Sequence, residues 1–292
     1  MALKRNRIRE ALFSWRRADQ ARVFSFFAKG DVRVVDPAGG ADYTALQAAI
    51  DAAAAGDTIL MAPGAYDEAV TIARAKSNLT IVGVGGRGAC YIEPSAVNAT
   101  GLTVEADDCT FENVGMAGDG TGSGCVNRGA RTRWERCKIE GGAVGLKLTL
   151  GTAAQIAALT HGKGADVRLD DCEICWNTKG VELVASDYGA VTQPRFFDCY
   201  YHDNTAADFE ESGGSVDIRY RDLEIGRCHF LRQEDGTEPT KYISLNDDNG
   251  NKGVVHGCSF PTALAGGKNL VSTGLIWVGN FHTGGLSTGQ PS

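Results

Sequence analysis

Proline is scarce in this chain, 7 in 292 residues, and methionine scarcer still at 3. Glycine reaches 38 with no proline to match it and no G-X-Y period. That excludes a collagen-like chain and points to many tight turns. No apolar run is long enough to span a bilayer, so membrane insertion is not expected. Residues 1–20 carry too many charges to hold the apolar stretch of a secretory signal. The expectation is therefore a chain that folds in a cytosol or joins an assembly built in one. With 43% apolar and 22% charged residues, the composition is globular rather than disordered.

The net charge of −7 is unevenly spread. Residues 1–35 hold nine Lys/Arg against three Asp/Glu, whereas the remaining residues hold 20 against 33. A basic arm precedes an acidic body. The acidic body would repel a phosphate backbone, so nucleic acid is not expected as a partner.

The nine cysteines are what the sequence has in a pattern. Six of them, Cys109, Cys137, Cys172, Cys199, Cys228 and Cys258, each precede a polar residue and then an apolar or aromatic one: Phe111, Ile139, Ile174, Tyr201, Phe230 and Phe260. This is strand alternation, with the cysteine and its second neighbour inward and the middle residue outward. The spacings of 28, 35, 27, 29 and 30 mark a solenoid. The frame continues to Val82 and Val84 on one side and to Gly279 and Phe281 on the other, giving about eight rungs. Long apolar helices and a leucine frame are both missing from the repeat, which leaves an all-β fold, a parallel β-helix. Like residues then stack on like, and the six cysteines are expected to form an internal ladder of reduced thiols. The wide step between Cys137 and Cys172 holds a helical pattern, Thr152–Thr160, read as an excursion from the coil.

Residues 31–72 differ in kind. A short strand at Val32 and Val34 leads to Thr44 and Gln47, spaced as a capping box, and to an alanine-rich helix over 45–55 ended by Gly56. Strands follow at 58–62 and 70–72 about the Pro63-Gly64 turn. The helix is suited to close the open end of a solenoid. The run YTALQAAIDAAAAGDTI followed by PGAY resembles the N-terminal segment of the pectin-lyase-like right-handed parallel β-helix superfamily. The likeness is close over about 35–85 and looser to about 282. It implies a single-stranded β-helix over residues 31–292 behind an arm at 1–30. In the arm, Ile8, Leu12 and Trp15 share a helical face with Arg5, Arg9 and Arg16 around them. Packing on the rod's own cap and anchoring to a partner are both open readings of it.

The resemblance implies tests for chemistry. A methylesterase would carry Gln-Asp-Thr-Leu and Asp-Phe-Ile-Phe-Gly. This chain reads EGGAVGLKL and CEICWNTKGVELV in those settings, so no catalytic residue is carried over. The Arg-x-Pro-x-x-Arg setting of pectate lyases is missing, and Asn246-Asp247-Asp248 ahead of His256-Gly257 only echoes a polygalacturonase. What remains is an acidic and aromatic strip over 200–248. Within it Asp203, Glu210 and Asp247 are candidate acids or bases for glycoside cleavage, which needs two carboxyls ~5–9 Å apart. Tyr200, His202, Asp208, Tyr220 and Asp248 are candidate glycan contacts. A solvated acidic face is the plainer reading of the same residues.

The Gly83–Gly88 run is read as a turn, because no helix follows it. Cys172 and Cys175 should face opposite sides of a strand, and His202, His229 and His256 are read as surface residues on no common face. No metal or cofactor is assigned. Proteins of this fold that assemble in a host cytosol resemble phage tailspikes. That resemblance implies a homotrimeric virion protein held to tail or capsid proteins by its N-terminal arm and facing a host surface polysaccharide. A polysaccharide lyase or hydrolase is the competing class, and an architectural adaptor or capsid decoration the third.

Overall fold

The computed structural model describes residues 30–150, 165–184, 191–212, 220–232, 234–236, 238–245, 252–261, 269–270, 275–282 and 285–287. The arm residues Arg5, Ile8, Arg9, Leu12, Trp15 and Arg16, the Thr152–Thr160 segment, and Asp247 and Asp248 lie outside them.

Short strands coil into three parallel sheets, of ten, seven and eight strands, here called sheets I, II and III. Each coil contributes a strand to sheet I, then II, then III, and climbs one strand spacing, ~4.8 Å. Strands this short need sharp corners, and the sequence supplies them as single residues with positive φ. Between sheets I and II these are Asn113, Arg136, Asp171, Asp198, Arg227, Gly257 and Gly279. Between III and I they are Asn78, Asp108, Arg131, Asp166, Gln193 and Asp222. Asn, Asp and Gly tolerate this conformation best. Corner side chains also pair up the rod, as in Arg131–Asp108 and Arg227–Asp198.

The interior is one continuous apolar column. In sheet I, Ile59, Ile81, Phe111, Trp134, Leu169, Phe196, Ile225, Val255 and Trp277 are in register. The rings of Phe111 and Trp134 stack at 3.9 Å. In sheet II, Tyr201, Phe230 and Phe260 stack at 5.1 and 4.5 Å.

The cysteine ladder exists, with one member exchanged. Cys137, Cys172, Cys199, Cys228 and Cys258 all sit just before a sheet II strand or bridge and are wholly buried. Cys109 does not belong. It precedes a sheet I strand and aligns with Leu79 and Thr132. Its place in the ladder is held by Val114, and the rung before that by Cys90. Thr110 and Arg133 are register partners, so the coil there is 23 residues long, and the 28-residue step from Cys109 to Cys137 crosses from one sheet to the next. The outer rungs shift likewise. Ile81, not Val84, precedes Phe111, and the pairing of Ser259 with Phe281 puts Asn280 on Cys258. Asn280 earns that buried position by accepting from the Cys258 amide at 2.9 Å and donating to the Val255 carbonyl at 3.0 Å.

All nine cysteines are free. Burial pushes the Cys90 and Cys109 thiols up to about 11, and Cys137 and Cys199 well above their ordinary range. The eight cysteines of the core act as small apolar fillers rather than as nucleophiles.

The N-terminal helix, α1 (Leu46–Ala52), buries Leu46, Ala49 and Ile50 against the first coil. The expected Thr44–Gln47 box does not form, since the N-cap is Ala45 with no side-chain cap. Glu68, from the loop after Gly64–Tyr66, accepts from the Leu46 and Gln47 amides instead, at 2.5 and 2.9 Å. Gln47 turns outward and accepts from the Thr71 amide at 2.7 Å.

Candidate functional site on the outer face of sheet II

Outward positions on sheet II stack rung by rung as inward ones do. One column runs Tyr91, Gly115, Lys138, Glu173, Tyr200, His229, Ser259. The next runs Ala117, Glu140, Cys175, His202. Gly115 is needed where it is: a Cβ there would lie 2.2 Å from the Tyr91 ring, which crosses the strand.

These columns build a charged network between aromatic walls. His202 donates from Nδ1 to Asp203 at 2.6 Å, and its Nε2 lies 3.4 Å from Glu173. The Arg87 guanidinium reaches across from the Gly83–Gly88 turn to Asp171 at 2.6 Å and Glu173 at 3.4 Å. Lys138 pairs with Glu140 at 2.6 Å and stands over the Trp176 ring at 4.5 Å. Trp176, 46% exposed, meets the His202 ring edge-on at 5.9 Å. Tyr200, 38% exposed, stacks on His229 at 5.1 Å, with Arg87 over its ring. The His202 hydrogen bond, outweighing burial and helped by Lys138 and Arg87, holds the Glu173 carboxyl down to about 2. The same bond, with Asp203, raises the His202 imidazole above its usual range.

Of the glycan contacts expected from sequence, Tyr200 and His202 lie on this face. Asp208 and Tyr220 do not reach solvent, being 1% and 0% exposed. Asp208 points into the rod, where Asn204 donates to it at 2.8 Å, and its second carboxyl oxygen has no partner. Burial pushes its pKa up to about 8. The two described acid candidates are also separated. Asp203 ends a sheet II strand, while Glu210 projects from sheet III and pairs with Lys179 at 2.6 Å.

Sequence reasoning missed Arg87, Lys138, Glu140, Glu173 and Trp176. The parity of the repeat could have found three of them: positions one and three after each ladder cysteine share the outer face. By that rule His202 and His229, expected on no common face, point the same way, and His256 sits apart on sheet I.

No protein-family model and no curated protein sequence matches the chain. Solved structures do. A pectin methylesterase from Aspergillus niger matches with TM-score 0.54 and 15% identity over 86% of this chain and 83% of that one. The pectate lyase Pel9A matches with TM-score 0.56 and 12% identity over 88% and 81%. An alginate lyase from Paenibacillus matches with TM-score 0.54 and 11% identity over 86% and 95%. The class is thereby settled as one of fold: the chain has the right-handed parallel β-helix fold that these structures share. At these identities the likeness concerns the fold, and the similar structures are those of polysaccharide-acting enzymes.

Proposed function

We propose that this protein is a polysaccharide-binding rod, and that the outer face of sheet II is where the glycan lies. The observation that carries the reading is the pair of half-exposed aromatic rings, Trp176 and Tyr200, on neighbouring coils either side of a polar network. Aromatic faces hold sugar rings and fixed polar groups choose among their hydroxyls. The setting we propose is a virion appendage of tailspike type, a homotrimer assembled in a bacterial cytoplasm, joined to tail or capsid proteins by residues 1–30. Supporting it are the basic arm ahead of an acidic body and the nine free thiols. The fold by itself hosts many activities.

A glycan screen with the full-length chain tests the binding reading. Trp176→Ala and Tyr200→Ala should each weaken the best polysaccharide ~10-fold or more, the size expected for an aromatic anchor worth ~1.4 kcal/mol or more. Retained affinity in both variants, with the melting temperature unchanged, would remove this face from consideration. A cleaving enzyme is the second reading, favoured by His202 held between Glu173 and Asp203. It requires turnover of the bound glycan that His202→Ala abolishes.

A further inference from the structure

Eight of the nine cysteines pack in the apolar core, and Cys175 alone is outside it. Cys172 points into the rod, and Cys175, three residues on, points out of it, yet Cys175 is wholly buried. What covers it is polar. Its thiol lies 3.5 Å from Glu140 and 3.6 Å from Glu173. His202 is its register partner on the next strand.

We propose that Glu173, Cys175 and His202 form a binding site for a thiophilic divalent cation, with Zn²⁺ the best fit. One ligand atom from each, a carboxylate oxygen, Sγ and a ring nitrogen, lies within 4.8 Å of both others. The separations match a tetrahedral ion. Zinc bonds of ~2.3 Å to sulfur, ~2.05 Å to nitrogen and ~2.1 Å to oxygen imply edges of ~3.6 Å for S···O and ~3.4 Å for N···O. The structure has 3.6 Å from Cys175 Sγ to Glu173 Oε1 and 3.4 Å from His202 Nε2 to that oxygen.

The surroundings suit the same ion. Nδ1 of His202 donates to Asp203 at 2.6 Å, which turns Nε2 toward the other two ligands; a carboxylate behind a metal-bound histidine is the usual support. Thiolate and carboxylate together neutralise the ion, and a mixed sulfur, nitrogen and oxygen set favours zinc over magnesium or calcium. As the ion enters, the thiol proton and the Nε2 proton pass to solvent. Lys138 keeps its pairing with Glu140, and Trp176 walls the site beside His202. Three protein ligands leave the fourth position to water or another oxygen donor. The site shares Glu173 and His202 with the network of the proposed glycan face, and metal binding by Cys175 can be read whether or not a glycan binds there.

The test uses the metal-stripped full-length chain titrated with Co²⁺ and then with Zn²⁺. One equivalent of Co²⁺ should produce a near-ultraviolet thiolate charge-transfer band that Zn²⁺ displaces. Cys175→Ser should abolish the band and weaken Zn²⁺ by more than the ~10–100-fold expected for Asp203→Asn, which keeps the band. Cys199→Ala, within the core ladder, should leave both unchanged. Absence of the band in the wild-type chain, or its persistence in Cys175→Ser, overturns the proposal. Should Cys175→Ser unfold, His202→Gln gives the same reading from the partly exposed ligand, with loss of Zn²⁺ expected and unaltered affinity decisive against the site.

Discussion

A single residue, Asp208, shows what the rod's interior does to charge. It is buried near the start of the sheet III strand Ala207–Ser212 and folds in its neutral form. In the unfolded chain it titrates near the ordinary carboxylate value, and in the folded chain near 8. Between those values the unfolded state is ionised and the folded state holds the proton. Its contribution to stability therefore falls as pH rises from about 4 to about 8, and is flat outside that window. Asp208→Asn keeps the shape and cannot ionise. The variant should match wild type at pH 4 and exceed it at pH 8 by an amount of order a few kcal/mol, read from denaturant midpoints. An equal offset at both pH values would mean that Asp208 is not held neutral. Asp208 also marks where sequence reading stops. A carboxylate in an acidic strip reads as surface, and only the coil geometry shows that Asn204 meets it inside.

At the scale of elements, much was legible and the errors have one cause. The repeat, the inward cysteines, the outward middle residues and the capping helix are all consequences of strand alternation and of an end that needs closing. Register was less legible, because coils vary in length and each has three corners. The phrase around Cys109 imitates the ladder phrase, yet it starts a strand of sheet I, and nothing local distinguishes the two. The helix cap failed for a similar reason. Thr44 and Gln47 have the local spacing, but Glu68, more than twenty residues on, supplies a carboxylate to both amides. Glu68→Ala should therefore cost ~1 kcal/mol, as loss of an N-terminal cap does, whereas Thr44→Ala should cost little. Thermal unfolding of the two variants decides it, and the reverse order would restore the local box.

At the scale of the molecule, the rod leaves apolar side chains uncovered toward its C-terminal end. Ile276 and Val278 point outward from the last strand of sheet I, and Phe281 lies exposed on the sheet II side. Exposed apolar side chains gathered in this way suit an interaction surface. In the proposed trimer it would be buried between copies lying side by side, as the basic arm would be engaged at the other end. The native mass is then three times 30.9 kDa, about 93 kDa, for the wild-type chain. Replacing Ile276 and Val278 together by Asp should lower it to 30.9 kDa without loss of the β-sheet signal, because neither side chain is in the core. Removing residues 1–30 should leave the trimer intact and abolish attachment to the particle. A wild-type chain that runs at 30.9 kDa would leave no role for side-by-side packing, and the exposed end of the rod would then have to meet a different protein.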